Sequence, residues 1–209
     1  MLRVDQQTSS PQNVSRETFS PMADYVALLL KWNAKINLIG PATQADIWSR
    51  HIDDSLQLVP LIPKNAKTLV DLGSGAGLPG LVIAIQCPQL FVTLVEQDQR
   101  KAAFLTEAKH RLGLSNVTVM AIDIAELVGQ YDVVTARALT ALDGLFAMAH
   151  RLMGAGGIAL FPKGENAAEE LKKASESWDY QSTAKPSKTH AISSIISISQ
   201  LSLKPHGNR

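Results

Sequence analysis

Residues 68–80 read TLVDLGSGAGLPG, and the order of residue types in that stretch decides the fold. Thr68, Leu69, Val70 and Leu72 form a short β-branched and aliphatic run bounded by turn formers, which predicts a buried strand. Asp71 interrupts the run one residue before it ends. Gly73, Gly75 and Gly77 follow at every second position, where glycine permits positive φ and lets a ligand approach the main chain. Pro79 suits a first helical turn, where its missing N–H costs nothing, and LVIAIQ (81–86) continues as that helix. Strand, glycine turn and helix N-terminus together make a nucleotide-binding corner.

Downstream, the chain alternates. Strands are predicted at 90–96, 116–121, 131–138 and 157–162, with helices at 98–114, 141–153 and 165–177 between or after them. Gly154–Gly157 reads as a turn. Residues 178–184 and 191–201 read as two more strands joined by a short loop, hence an antiparallel edge hairpin. Such alternation predicts an α/β fold: a mostly parallel, seven-stranded, Rossmann-like sheet with helices on both faces.

Upstream, residues 1–14 are polar and predicted disordered. A helix follows from Ser15, capped by Ser15 with Thr18 or by Ser20 with Asp24, with Tyr25, Leu28, Leu29 and Trp32 on its inner face. A second helix is expected over 45–61, with Ile47, Trp48, Ile52, Leu56 and Val59 inward. The chain therefore divides into a disordered 1–14, a helical extension 15–65, a sheet domain 66–203 and a tail 204–209.

Composition narrows the function classes. The 209 residues are 45% hydrophobic and 19% charged with a formal net charge of +1, so overall charge does not mark a nucleic-acid binder. The basic excess lies at the C-terminal end, and residues 185–209 contain no acid. The lone Cys87 rules out a disulfide framework, and its place after the first crossover helix reads as core rather than nucleophile. No Cys/His cluster has zinc spacing, so no metal is expected. No signal peptide or ~20-residue apolar span is present, which predicts a cytoplasmic protein without a membrane partner.

In a sheet of this kind the ligand lies beyond the carboxyl ends of the strands. That rim gathers Gly73 to Leu78, Glu96, Asp123 to Glu126 and Ala136 to Leu139. Glu96 ends the second strand, where an acid accepts hydrogen bonds from both ribose hydroxyls of an adenosine. The competing reading is an acid favoured by a helix N-terminus.

Gly75 to Gly80 also matches G-x-G-x-x-G, so an NAD(P)-dependent oxidoreductase has to be weighed. Read from Gly73, however, the third glycine position holds Leu78. An acid at Asp71 also suits a cofactor with an ammonium better than one with a pyrophosphate. S-adenosylmethionine is such a cofactor, and Asp-x-Gly-x-Gly-x-Gly with a later strand-end acid resembles the class I methyltransferase signature.

The ordered blocks KWNAKINL (31–38), SRHIDDSL (49–56), DLGSGAGLPG (71–80), EQDQRKAAFL (96–105), ARAL (136–139) and FPKG (161–164) resemble the RsmG family, also called GidB. That resemblance covers about residues 15–203. It implies a bacterial enzyme that methylates N7 of a guanosine in 16S ribosomal RNA, leaving S-adenosylhomocysteine. It carries cofactor contacts onto Gly73, Leu78, Ile124, Ala125 and Arg137, beside Asp71, Gly75, Gly77 and Glu96 from the general signature. The partner implied is 16S ribosomal RNA or the small ribosomal subunit, and the protein is expected to act as a monomer. The last strand departs from the family, with Thr189 and His190 where an arginine is common.

Guanine N7 bears a lone pair and no proton, so its methylation needs alignment rather than a general base. Arg137, at the end of the fourth strand, is the candidate positioning residue, against a reading as a solvated arginine. Arg100, Lys101 and Lys163 are candidates for RNA phosphates. His51, beside Asp53 and Asp54, reads as structural. Two alternatives stay open: a methyltransferase of another RNA or small molecule, and a non-catalytic nucleotide- or RNA-binding module.

Overall fold

The computed structural model describes residues 16–205. The expected disorder of 1–14, the cap at Ser15 and the tail end 206–209 lie outside the described residues. Helix α1 (Arg16–Asn33) already contains Ser20, so the alternative cap at Ser20 does not form. Its inner face buries Met22, Tyr25, Leu28 and Leu29, while Trp32 is half-buried and stands edge-on to Phe104.

The helix expected over 45–61 is three pieces. A π-helical turn (Trp48–Asp53) runs into a single α-turn, α2 (Asp54–Leu56), and a 3-10 turn (Val59–Leu61) follows. Pro60 cannot continue an α-helix, and the wider π-turn breaks the 3.6-residue period on which the expected stripe was counted. Ile47 and Ile52 are buried as expected, Trp48, Leu56 and Val59 are only partly covered, and Leu58 is buried in addition. His51 in the π-turn and Ser55 in α2 are buried as well.

The remaining elements are β1 (Thr68–Leu72), α3 (Gly80–Gln86), β2 (Phe91–Val95), α4 (Gln99–Arg111), β3 (Val117–Met120) and a 3-10 turn (Ile124–Glu126). They continue as β4 (Tyr131–Ala136), α5 (Leu142–Leu152), β5 (Met153–Lys163), α6 (Ala167–Ala174), β6 (Trp178–Pro186) and β7 (Ser194–Leu203). The sheet order is β3-β2-β1-β4-β5-β7-β6. The first five strands pair in parallel, and β7 runs antiparallel to both neighbours. The edge hairpin is formed, with its second strand inserted next to β5. Gly154–Gly157, expected as a turn, lies inside β5. The register to β4 jumps from Tyr131↔Met153 to Val133↔Ile158, so a bulge absorbs the extra residues.

Strand alternation splits the core into two layers. Leu69, Val92, Leu94, Val133 and Leu160 face α1, α3 and α4. Val70, Leu72, Val95, Val134 and Phe161 face α5 and α6. Burying Phe104 on one side and Phe146 on the other contributes about 2 kcal/mol each. The chain winds outward through β2 and β3, then returns to place β4 on the other side of β1. The β1/β4 junction is therefore the switch point, and the loops above it form the site.

Candidate active site

The glycine loop adopts the geometry its sequence requires. Gly73, Gly75 and Gly77 all have positive φ (65°, 54° and 82°), a region that other residues enter at a cost. Gly80 serves close packing instead: a Cβ there would stand 2.4 Å from Leu94 Cδ2 and 2.7 Å from Asp71 Oδ2. The loop is braced from the N-terminal segment, where Tyr25 Oη donates to Ala76 O at 2.6 Å. Burial holds the proton on that phenol.

A cavity of about 820 Å³ opens beside the loop. Gly73 and Gly75 form one wall and Glu96 another. Asp123, Ile124 and Ala125 line it after β3, and Arg137, Ala138 and Leu139 after β4. Glu96 is buried; its Oε2 accepts from Gly75 N at 2.8 Å and its Oε1 from Asp98 N at 2.9 Å. Those two bonds aim the carboxylate and leave each oxygen another lone pair. Ala125 N donates to Asp123 Oδ1 at 2.8 Å, which shapes the 3-10 turn.

Asp71 is placed differently from the expectation. Alternation along β1 turns its side chain toward α3, and it is not part of the cavity wall. Oδ2 accepts from Gly80 N at 3.1 Å, while Oδ1 is buried without a hydrogen-bond partner. Burial pushes the carboxyl up to about 7, against the opposing pull of Ser74 and Gly80. Gly77 and Leu78 are likewise outside the wall: the Gly77 N–H turns back to Ser74 O, and Leu78 is in the core.

Arg137 sits at the junction of two cavities. It lines the first and also a second of about 540 Å³ formed with Arg50, His51, Asp54, Pro162, Gly164 and Ile192, among others. Its Nη1 donates to His51 Nδ1 at 3.1 Å and lies 3.5 Å from Asp54 Oδ2. Arginine only donates, so His51 Nδ1 accepts and Nε2 carries the proton. Nε2 then donates to Thr43 Oγ1 at 2.8 Å, whose own hydroxyl donates to Gly40 O at 2.9 Å. Burial and the adjacent guanidinium lower His51 to about 4, which keeps it a neutral acceptor. Thr189 Oγ1 donates to Asp54 Oδ1 at 2.8 Å, which ties in the β6–β7 loop.

The three basic candidates part company. Arg100 is exposed and pairs with Asp98 at 3.2 Å. Lys101 lines the first cavity. Lys163 is only 13% exposed; it pairs with Glu170 at 2.7 Å and donates to Thr140 O at 3.1 Å. Glu170 also accepts from Leu142 N at 2.8 Å, so this pair clamps the loop that carries Arg137. Lys163 thus serves an internal clamp, and it also lines the second cavity described above.

Sequence reasoning missed Arg151, which reaches from α5 to the carbonyls of Ile124 and Leu127 and holds the turn after β3. It also missed that His51 and Asp54 serve Arg137, although their i,i+3 spacing puts them on one helical face. Among the described residues, no group of three or more His, Cys, Asp or Glu is arranged to hold a metal. No helix among them is long and apolar enough to cross a membrane.

The chain is similar to known proteins at two levels. The family model described as rRNA small subunit methyltransferase G (GidB) matches residues 18–196. A ribosomal RNA small subunit methyltransferase G of Acidiphilium cryptum is 48% identical over 191 residues, covering 90% of this chain and 88% of the relative. Its namesake in Gluconobacter oxydans is 46% identical, covering 89% and 95%. At the level of fold, a predicted O-methyltransferase from Agrobacterium tumefaciens superposes with a TM-score of 0.57 at 20% identity, over 75% of this chain and 82% of that one. A glycopeptide N-methyltransferase solved with S-adenosylmethionine gives 0.59 at 10% identity, over 71% and 93%. The fold is that of the class I methyltransferases.

Proposed function

This chain belongs to the GidB family of rRNA small subunit methyltransferases G, and on that premise we propose that it methylates N7 of a guanosine in 16S ribosomal RNA. S-adenosylmethionine is the donor, and the transfer is an in-line displacement without a general base. The observation that carries the reading is Glu96. Its carboxylate lines a cofactor-sized cavity and is held by Gly75 N and Asp98 N, with acceptor capacity to spare for two ribose hydroxyls.

When bound, S-adenosylmethionine supplies a methyl group activated by the adjacent sulfonium. Glu96 holds the adenosine end, and the turn at Ile124 and Ala125 lies along the same wall. Gly73 and Gly75 let the main chain approach the ligand. Asp71 acts through the loop: by accepting from Gly80 N it fixes the glycine turn to the start of α3. Arg137, held by His51 and Asp54, positions the reacting groups. The His51 imidazole is an acceptor for Arg137 and is assigned no role as a base. Arg100 and Lys101 are the cations proposed to meet RNA. We take the protein to act as a monomer in the cytoplasm.

The decisive experiment supplies the protein with labelled S-adenosylmethionine and ribosomal RNA, naked or as small subunits, from a strain lacking this protein. Label is expected at one guanine N7. No transfer there overturns the assignment.

A further inference from the structure

Resting on that methyl-transfer reading, we propose that the second cavity is the binding site for the target nucleotide, everted from its RNA as a single purine unit. Three observations carry this. The two cavities meet at Arg137 and Ala138, which line both. Donor and acceptor in an in-line transfer must approach from opposite sides of one carbon, so an acceptor site has to adjoin the donor site at one junction. The second cavity, about 540 Å³, is also within the range of a small-molecule site.

The lining has the chemistry of a nucleotide rather than of a peptide or lipid. Ile192, at 57% exposure an uncovered large apolar side chain, and Pro162 present an apolar face for a base plane. Arg50 lies at the exposed edge, where a backbone phosphate would stand. Arg137 lies at the inner end, next to the cofactor cavity. Of the cavity's three carboxylates, Asp54 is engaged by Arg137 and Glu170 by Lys163, while Glu165 is exposed to solvent. An everted base held by an apolar face, with its phosphate on an arginine, is how enzymes reach a base atom otherwise stacked in RNA.

The site also explains the N-terminal segment and the β6–β7 loop. Arg50, His51 and Asp54 come from the first, and Thr189, His190 and Ile192 from the second. Asp54 and Thr189 join the two across the cavity at 2.8 Å.

Gly164 provides the test. It lines the cavity, and a Cβ there would meet nothing within 4 Å, so a substituted side chain starts in open space and retained S-adenosylmethionine binding serves as the check on the fold. Gly164→Trp should bind S-adenosylmethionine within about twofold of the parent by calorimetry, yet lose about 100-fold in kcat/KM on small subunits. Ile192→Ala and Arg50→Ala should each raise KM by about tenfold, the latter with a shallower salt dependence. Full kcat/KM in Gly164→Trp, from a wild-type protein that methylates the RNA, overturns the nucleotide site and leaves the activity standing. A wild-type protein that methylates no ribosomal RNA overturns the activity, and the nucleotide site with it.

Discussion

The two sides of Arg137 are built in different ways. On the side of the glycine-loop cavity, Glu96 meets Gly75, 21 residues away within one strand-loop-helix-strand unit. On the other side, Arg137 meets His51 and Asp54 across 86 and 83 residues, and Asp54 meets Thr189 across 135. The first side is a local device that recurs wherever the unit folds. The second is assembled from three distant segments that meet only because the sheet brings them together. A common fold can thus keep one ligand while its flanking segments choose another.

The largest test of this contrast strikes the local device. Gly80→Val should destabilise the protein by about 3 kcal/mol or more, because its Cβ overlaps Leu94 and Asp71 at the root of the loop. Denaturant unfolding measures it, and a fully stable variant would show that the strand and α3 have room to part. Glu96→Ala comes next, with an expected loss of about 100-fold in S-adenosylmethionine affinity by calorimetry. Retained affinity would remove the carboxylate from the cofactor site.

Asp71 gives a pH signature. Its carboxyl is raised to about 7 in the fold, against an ordinary value of 3.8. Between these values the folded protein holds a proton that the unfolded chain has released, so stability falls as pH rises through this window. Asp71→Asn keeps an acceptor for Gly80 N and removes the buried charge. It should gain on the order of 2 kcal/mol on the parent between pH 5 and pH 8. Parallel stability profiles for the two proteins would refute it.

The smallest effect belongs to the distant side. His51→Ala should slow single-turnover methyl transfer about tenfold while leaving S-adenosylmethionine affinity within about twofold. Because His51 is lowered to about 4, the parent's rate should show no inflection from this residue between pH 5.5 and 8. Equal losses in affinity and rate would place His51 with the cofactor instead, and erase the distinction between the two sides.

The strand pattern, the glycine turn and the acid at Glu96 were legible because each depends on neighbours in sequence. Residues 45–61 were not, since a π-turn and Pro60 replaced the helical period that the apolar residues suggested. Lys163 read as a candidate for an RNA phosphate, yet Glu170 and Thr140 engage it from segments whose approach no spacing announces. Asp71 was identified as special but assigned the wrong neighbour. Its direction depends on which face of β1 carries α3, and one residue along a strand reverses that face.

By itself, the sequence determined that a mostly parallel sheet would form, where its glycine corner would lie, and that an acid would end the second strand beside that corner. Hydrophobic period and backbone freedom are properties of adjacent residues, and they act before any distant segment arrives. Only the tertiary structure decided that Asp71 turns toward α3, that Lys163 is spent on a clamp, and that His51 holds Arg137 between two cavities. Those outcomes rest on burial and hydrogen bonding between segments far apart in the chain, where each polar group takes the partner the packed fold puts within reach.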